Sequence, residues 1–277
     1  MGIQFFRNKA TLITGASSGI GEELAWQLAQ ADARVTLAAR RTDLLTKLAD
    51  RIEASGKPRP LIVECDVAKD GELERAVAES VRAFGKLDIA IANAGFGVAG
   101  PLKELSIEDY KRQFETNVFG VLRTIYAALG ELEKTKGNIV IIGSVAGWLP
   151  MPNGSAYGMS KFALRSLASS IAPELEPLGI KVTLISPGWV ASNFGRVDNH
   201  GNLRDKPRNP PPAGLVMRTD KAATQILQAI AKGKREAVIT GHAKLAVFFE
   251  RFLPSLLHRI LREMQARRIK DAPVSSP

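Results

Sequence analysis

Only one cysteine, Cys65, occurs in the chain, so an internal disulfide is excluded. It ends the short apolar run Leu61-Ile-Val-Glu-Cys65, which indicates a buried structural thiol rather than a nucleophile. A chain of 277 residues can bury a substantial core without disulfides or metals. Free thiols persist in reducing compartments, so we expect a cytoplasmic protein. We also expect no metal site.

Long hydrophobic runs are also missing. No stretch of about 18 apolar residues exists, so we expect no membrane-spanning helix. Too few residues precede the first predicted strand to hold a secretory signal, and Phe6 stands where a myristoylation signal requires Ser or Thr. These absences predict a soluble protein.

Acidic residues are in deficit. The chain has 38 Lys and Arg against 28 Asp and Glu, and its formal net charge is +10. Such an excess favours nucleic acid, an anionic membrane surface, or an anionic cofactor or substrate as a partner, although a solvated basic face would also account for it. No nucleic-acid-binding motif accompanies the charge, so we expect no nucleic-acid partner.

Short β-rich runs alternate with longer helical patterns. Strands are predicted over residues 9–13, 34–39, 60–65, 87–92, 138–143, 180–186 and 236–240. Helices are predicted over residues 19–30, 43–54, 71–84, 107–132 and 155–176. This alternation is typical of parallel strands with right-handed crossovers and helices on both faces. The sequence therefore predicts one α/β domain with a doubly wound parallel sheet, the Rossmann fold.

Two segments depart from this rhythm. Residues 192–218 have no periodicity and contain Asn209-Pro-Pro-Pro212; so long a loop usually covers a site or is disordered, and we assign it as a lid to a domain of residues 1–241. Residues 242–277 are predicted to be an amphipathic helical extension of that domain. Packing within the protein, including on a partner subunit, is favoured for the apolar stripe of residues 242–270. Weak peripheral membrane contact is the alternative, which the surrounding Lys and Arg support. The stripe comprises Leu245, Phe248, Phe249, Phe252, Leu253, Leu256, Leu257, Ile260, Leu261 and Met264.

A glycine-rich turn, Thr14-Gly-Ala-Ser-Ser-Gly-Ile-Gly21, lies between the first predicted strand and the first helix. Gly15 permits a tight turn, Gly19 lets the backbone approach a pyrophosphate, and Gly21 allows close packing of helix and strand. The helix N-terminus presents N–H groups and positive partial charge to phosphates. The position of the turn indicates a dinucleotide site, although a structural turn would look similar.

The end of the second strand indicates which dinucleotide binds. The strand ends Ala38-Ala39-Arg40-Arg41, about twenty residues past the glycines, where an NAD site normally has Asp or Glu. Arginine instead suits a 2′-phosphate, because its planar fork donates two hydrogen bonds. Two arginines can also simply begin a solvated helix. The missing acid favours NADP(H) over NAD(H).

A tyrosine and a lysine, Tyr157 and Lys161, stand four residues apart and therefore on one helical face. A nearby ammonium favours the phenolate and would lower the tyrosine pKa toward values useful for proton transfer. Ser144 follows the fifth predicted strand, so its hydroxyl can share the edge of the sheet where ligands bind.

Together these motifs resemble the short-chain dehydrogenase/reductase family over roughly residues 8–240. The elements stand in order: Thr14-Gly-x-x-x-Gly-x-Gly21, Asp66, Asn93-Ala-Gly95, Asn117, Ser144 with Tyr157-x-x-x-Lys161, and Pro187-Gly188. Each element is weak by itself, whereas the ordered set is specific.

The resemblance implies catalytic roles for four residues. Tyr157 would be the general acid in reduction and the general base in oxidation. Lys161 would hold the nicotinamide ribose and lower the Tyr157 pKa. Ser144 would bind the substrate oxygen, and Asn117 would anchor a water in a proton relay.

Cofactor contacts follow from the same resemblance. Asp66 would bind the adenine amino group with the Val67 backbone beside it. The implied cofactor residues are Gly15, Ser17, Ser18, Gly19, Ile20, Gly21, Arg40, Arg41, Asp66, Val67, Asn93, Ala94, Gly95, Tyr157, Lys161, Pro187, Gly188, Val190 and Ser192. Many NADP-preferring relatives carry a basic residue where this chain has Ser18, so phosphate recognition would fall on Arg40 with Arg41 and Ser17. For Asn93 and Asn117, satisfying backbone groups is an equally good account.

The resemblance also implies hydride transfer between a nicotinamide and a small-molecule carbonyl or alcohol. A carbonyl reductase is the leading hypothesis; an alcohol dehydrogenase working oxidatively would use the same residues. A non-catalytic nucleotide-sensing protein would keep the fold, but the intact catalytic set argues against it. A homo-oligomer, dimer or tetramer, is implied through helices 107–132 and 155–176. An apolar substrate cleft is expected from Phe96, Gly97, Val145, Ala146, Trp148, Met151, Trp189 and Phe194.

Overall fold

A computed structural model of the chain describes residues 3–192, 194, 199, 205, 214–256, 259 and 262–263. The strands are β1 (Ala10–Thr14), β2 (Arg34–Ala39), β3 (Leu61–Glu64), β4 (Ile89–Ala92), β5 (Asn138–Ile142), β6 (Lys181–Pro187) and β7 (Glu236–Ile239). They form one sheet in the order β3-β2-β1-β4-β5-β6-β7, and every neighbouring pair is parallel. The predicted doubly wound sheet is confirmed.

Helices connect the strands and cover both faces of the sheet. They are α1 (Gly19–Gln30), α2 (Thr42–Ala54), α3 (Glu72–Phe84), α4 (Ile107–Phe114), α5 (Gly120–Thr135), α6 (Ser155–Leu175), α7 (Thr219–Ala231) and α8 (Gly241–Phe252). On one face α1, α2 and α7 bury Leu24, Leu45 and Ile226, and on the other α3 and α5 bury Leu73 and Ile125.

The central strands β1, β4 and β5 are buried on both faces, as their apolar runs predict, whereas the edge strands β3 and β7 are partly exposed. Every residue of β5 is buried. Cys65 is 2% exposed, and burial raises the pKa of its thiol to about 12. The prediction that Cys65 is buried is therefore confirmed.

The sheet register brings several strand ends to one edge. Ile13 of β1 pairs with Ile91 of β4, and Ala92 of β4 pairs with Ile141 of β5. The strand order reverses between β1 and β4, and ligands of open parallel sheets bind outside the carboxyl ends at such a reversal. The glycine turn after β1 and Ser144 after β5 thus lie on the edge where a site is expected.

Two helical predictions need correction. The single helix predicted over residues 107–132 is divided by a π-helical turn, Glu115–Phe119, into α4 and α5. Helix α7 was not predicted, although Ala222, Ala223, Ile226 and Ile230 recur at helical spacing and are buried. The adjoining aperiodic loop obscured that pattern.

Only part of the predicted lid lies within the described residues: 192, 194, 199, 205 and 214–218. The predicted tail begins as α8, which ends at Phe252, and helix resumes at Pro254, as the proline predicts. Residues 257, 258, 260, 261 and 264–277 of the tail lie outside the described residues. Across the described residues, no helix has the length and apolar character required to cross a bilayer.

Candidate active site

The turn between β1 and α1 requires its glycines. Gly15 and Gly19 have φ of 66° and 62°, the left-handed region that favours glycine. A Cβ on Gly15 would lie 2.7 Å from Ala94 Cα, and one on Gly21 would lie 2.5 Å from the Gly15 carbonyl oxygen. The turn is therefore packed tightly against the end of β4.

Asn93 ties this turn to β4. Its Nδ2 donates to the carbonyl oxygens of Thr14, at 2.9 Å, and Gly15, at 3.2 Å. Thr14 Oγ1 accepts from the backbone N–H groups of Asn93 and Ala94 at 3.0 and 3.1 Å. The structural account of Asn93 therefore has direct support, because its amide satisfies the backbone of the glycine turn.

The N-terminus of α1 is suited to a phosphate. Ser18 stands at the N-cap in an extended conformation, and its side chain makes no cap hydrogen bond. Its hydroxyl and that of Ser17 instead each accept from one Arg41 nitrogen, at 2.9 Å. The first-turn N–H groups of the helix and the Arg41 guanidinium thus face the same small region, which fits a phosphorylated dinucleotide.

The two arginines differ in placement. The Arg40 side chain is 71% exposed and its guanidinium lies 3.9 Å from Asp66 Oδ2. Asp66 Oδ1 accepts from the Ala68 N–H at 3.1 Å, which holds the carboxylate at the end of β3. We expected Arg40 to lead phosphate recognition, whereas the structure places Arg41 on the glycine turn and Arg40 beside Asp66.

Ser144 and Tyr157 meet above the end of β5. Ser144 Oγ accepts from the Ala146 N–H at 3.1 Å, and the Ser144 and Tyr157 hydroxyls are hydrogen-bonded. Tyr157 lies in the first turn of α6, where its ring contacts that of Phe194 at a centroid distance of 5.4 Å. The predicted Ser–Tyr pair is therefore assembled.

Lys161 lies one turn further along α6. Its Nζ donates to the Ile142 carbonyl at 2.9 Å and stands 5.7 Å from the centroid of the Tyr157 ring. The side chain is buried, and this burial lowers the Lys161 pKa to about 8.

The Tyr157 pKa departs from the expectation. Burial raises it to about 12, and the hydrogen bond with Ser144 lowers it only in part. We expected Lys161 to lower this pKa; the cost of burying a phenolate is larger. Tyr157 therefore keeps its proton at neutral pH.

Asn117 lies in the π-helical turn and is fully buried. Its Oδ1 accepts from the Phe96 N–H at 3.1 Å, and its Nδ2 donates to the Phe96 carbonyl at 3.0 Å and to Ser160 Oγ at 3.2 Å. The side chain thus joins the segment after β4 to α6. This arrangement supports the backbone-satisfying account, and π turns of this kind often occur at functional sites.

The segment after β6 packs against the tail. A Cβ on Gly188 would lie 2.6 Å from His242 Nε2 and closer still to Thr240 Oγ1. The Trp189 ring stacks on His242 at 5.1 Å, and its backbone N–H donates to His242 Nε2 at 3.3 Å.

Sequence reasoning missed Thr240 and His242. They follow β7, whose carboxyl end lies at the same edge of the sheet as the other site residues, and this topological signal could have identified them. Pro187 ends β6, and Val190 forms a bridge with Met217. Ser192 Cβ would lie 3.1 Å from a Cβ on Gly19, so this residue does reach the glycine turn.

The predicted substrate cleft is assembled in part. Phe194 lies over Gly97, where an added Cβ would be 3.0 Å from the ring, and Met151, Trp189 and Phe194 are 45%, 40% and 40% exposed. Trp148 is only 8% exposed and packs with Leu149 and Val247 under α8. We expected it to line the cleft; it is a packing residue instead. Among the described residues, no cluster of His, Cys, Asp and Glu could hold a metal ion.

Comparison with known proteins identifies the family. The sequence profile of the short chain dehydrogenase family matches residues 9–202. The chain belongs to the short-chain dehydrogenase/reductase family and is an oxidoreductase. Enzymes of this family use nicotinamide cofactors and act on small-molecule substrates.

Relatives and solved structures cover most of the chain. It is 33% identical over 264 residues to 11-beta-hydroxysteroid dehydrogenase A of Arachis hypogaea, covering 92% of this chain and 74% of the relative. It is 31% identical over 281 residues to dehydrogenase/reductase SDR family member 7B of Bos taurus, covering 96% and 84%. An alcohol dehydrogenase structure from Thermococcus sibiricus, complexed with 5-hydroxy-NADP, is 29% identical with a TM-score of 0.73, covering 84% and 96%.

Proposed function

We propose that this enzyme is an NADP(H)-dependent carbonyl reductase acting on an apolar ketone or aldehyde. The observation that carries the proposal is the half-buried, hydrogen-bonded pair of Ser144 and Tyr157 with the buried Lys161 one helical turn away. Two adjacent hydroxyl groups can both donate to one carbonyl oxygen, which polarises the carbonyl carbon. A bound nicotinamide cofactor supplies or accepts the hydride.

Tyr157 acts as the proton donor in this proposal. Because burial raises its pKa to about 12, the phenol holds a proton at neutral pH and can release it to the oxygen that gains negative charge. The phenolate formed in that step lies near the Lys161 ammonium, which stabilises it. Ser144 remains hydrogen-bonded to the substrate oxygen and holds it in place.

The oxidative direction is the second candidate. An alcohol dehydrogenase needs Tyr157 as a base, and a phenol whose pKa is raised is a poor base at neutral pH. The protonated state of Tyr157 therefore favours reduction, and the rate of oxidation should increase as the pH rises.

The preference for NADP(H) rests on Arg41. Its guanidinium joins the Ser17 and Ser18 hydroxyls beside the N-terminus of α1, where a 2′-phosphate would receive charge-assisted hydrogen bonds. No acid stands at residues 38–41 to bind a free ribose hydroxyl. The structural similarity to an enzyme complexed with 5-hydroxy-NADP supports the same choice.

An apolar substrate suits the exposed aromatic side chains around Tyr157. Trp189 and Phe194 are each 40% exposed, and the Phe194 ring contacts that of Tyr157. Relatives named hydroxysteroid dehydrogenases make bulky lipophilic ketones the first class to test. A panel of such ketones, with aldehydes and alcohols, followed at the nicotinamide absorbance with both cofactors, tests the proposal; oxidation of alcohols without reduction of any ketone would contradict it.

We assign residues 192–218 to the catalytic unit of residues 1–241, as a cover over the site. Phe194 contacts Tyr157, and Asn199 exchanges hydrogen bonds of 3.1 Å with the Ala99 backbone, beyond Gly97. We assign residues 242–277 to an extension of this unit, and its His242 supports the segment after β6. Because its one cysteine is a free, buried thiol, we place the enzyme in a reducing compartment, the cytoplasm.

We also propose a homo-oligomer that pairs α5 and α6. Large apolar side chains are exposed on these helices and on the turn that precedes them: Phe119 at 46%, Tyr126 at 71%, Met159 at 53% and Phe162 at 39%. Several such side chains on neighbouring helices favour association with another copy.

A further inference from the structure

Helix α8 presents its large apolar side chains outward. Ala243 and Val247, one turn apart, are buried against the domain. Leu245, Phe248 and Phe252 lie on the opposite side of the helix and are 58%, 53% and 60% exposed. We expected the apolar stripe of the tail to pack within the protein, whereas the structure buries Ala243 and Val247 and leaves these larger side chains exposed.

The exposed stripe continues past the end of α8. Leu253 is 45% exposed and Leu256 is 47% exposed. We call the exposed residues Leu245, Phe248, Phe252, Leu253 and Leu256 the outer stripe. So large a run of exposed apolar side chains on one element marks an interaction surface.

Basic residues border the outer stripe. At 100° per residue, Lys244 and Arg251 lie on the same flank of α8, and both are exposed. Glu250 lies on the side of the helix that faces the domain, and one of its carboxylate oxygens is buried. Beyond the helix, Arg259 is paired with Glu263 at 3.2 Å, and Arg262 adds a further positive charge.

This charge distribution selects the kind of partner. A second copy related by a two-fold axis would bring the basic flanks of two α8 helices close together, where their like charges repel each other. An anionic lipid surface complements both the charge and the apolar stripe, which is the arrangement of helices that lie in a membrane interface.

The start of α8 contacts the segment that follows β6. At the start of α8, His242 stacks on Trp189 of the segment after β6. A groove of about 520 Å³ runs between residues 214–218 and residues 240–242. Its wall includes Leu215 and Val216, which are 40% and 38% exposed. This groove therefore places exposed apolar side chains next to the start of α8.

We propose that the outer stripe and its basic flank dock on an anionic lipid surface. The apolar side chains enter the boundary between headgroups and acyl chains, and Lys244 and Arg251 contact lipid phosphates. Docking itself does not depend on the proposed carbonyl reduction, so the two can fail separately.

Vesicle sedimentation of the full chain tests the docking. We expect binding to vesicles of phosphatidylcholine with one third phosphatidylglycerol, about tenfold weaker binding to pure phosphatidylcholine, and release at high salt. Phe248→Ser/Phe252→Ser should reduce binding to the anionic vesicles at least tenfold. The matched control, Leu102→Ser/Ile107→Ser, removes side chains that are 75% and 70% exposed elsewhere and should leave binding unchanged.

A second pair of variants separates the basic flank from general positive charge. Lys244→Gln/Arg251→Gln should weaken binding to the anionic vesicles, whereas Lys103→Gln/Lys111→Gln, which removes the same charge at a distance, should not. Equal losses in both variants would overturn the proposal, since any positive face would then suffice. Circular dichroism melting and turnover of a water-soluble substrate check that each variant is folded.

Light scattering identifies the competing occupant. If Phe248→Ser/Phe252→Ser lowers the oligomeric mass and leaves vesicle binding unchanged, the stripe pairs with a second copy and the proposal is wrong. Failure of the wild-type chain to bind anionic vesicles would also overturn it. Unchanged mass with lost vesicle binding supports lipid docking.

Discussion

At the scale of single residues, Tyr157 is the proposed proton donor, and its hydroxyl faces that of Ser144. Tyr157→Phe should lower turnover by several orders of magnitude and leave the Kd of the cofactor nearly unchanged, since only a group that acts in the transition state is lost. The phenylalanine ring keeps the contact with Phe194. Tyr126→Phe, on an exposed tyrosine, is the control, and a Tyr157 variant with a tenth of wild-type turnover would contradict the mechanism.

Arg41 is expected to decide cofactor choice. Arg41→Ala should raise the Kd of NADPH by about ten- to a hundredfold, the equivalent of one charged hydrogen bond of about 1.5–3 kcal/mol. The Kd of NADH should change little. Arg40→Ala is the matched comparison and should have the smaller effect, because Arg40 lies beside Asp66. Equal losses for both cofactors in Arg41→Ala would show a structural role for that arginine.

The pKa of Lys161 predicts how the rate of reduction depends on pH. Burial lowers its pKa to about 8, so the ammonium is present below pH 8 and is lost as the pH rises through that value. Tyr157, with a pKa near 12, stays protonated throughout this window. The logarithm of kcat/KM for reduction, which reports the free enzyme, should be level near neutrality and fall above about pH 8. A level profile up to pH 10 would contradict this role for Lys161.

At the scale of elements, the start of β4 is held to β1 by a buried carboxylate. Asp88 Oδ1 accepts from Lys9 Nζ at 3.0 Å, and Oδ2 accepts from the Ala10 N–H at 2.9 Å and lies 2.9 Å from Lys86 Nζ. Burial alone would raise the Asp88 pKa, but the hydrogen bonds from Lys86, Ala10 and Lys9 hold it below 3.8.

Replacing this carboxylate should therefore destabilise the fold. We expect Asp88→Asn to lower the free energy of unfolding at neutral pH by about 1–3 kcal/mol, because the buried donors lose a charged acceptor. The folded pKa is depressed, so the contribution is complete above pH 3.8 and is lost as the pH falls through the lower folded value. Urea unfolding at several pH values measures this, with exposed Asp43→Asn as the control. If the difference in unfolding free energy between the wild type and Asp88→Asn grew toward low pH, this role of the Asp88 carboxylate would be contradicted.

At the scale of the whole molecule, the exposed side chains of α5 and α6 predict assembly. Light scattering should give a multiple of 29.9 kDa. Tyr126→Asp should shift the mass toward that of one chain, because it places a charge among apolar groups at the proposed interface. Leu102→Asp, at a side chain 75% exposed outside these helices, should not. A wild-type mass of 29.9 kDa would contradict the proposed oligomer.

Much of the architecture followed from local patterns. Apolar runs that alternate with helical patterns predicted the strands and their parallel arrangement, because each pattern depends on near neighbours in the chain. The spacing of Tyr157 and Lys161 placed them on one helical face for the same reason. Ser144 could be placed at the edge because it directly follows a strand.

Long-range packing decided the rest. The choice between Arg40 and Arg41 depends on where the guanidinium ends meet Ser17 and Asp66, which lie far away in sequence. The direction of the Tyr157 pKa depends on desolvation, which exists only once α6 is packed. The helical spacing of apolar residues in the tail predicted a helix. Whether Val247 or Phe248 faces inward depends instead on the surface beneath α8. Spacing along the chain determines which residues share a face, whereas only the packed neighbours determine what that face contacts.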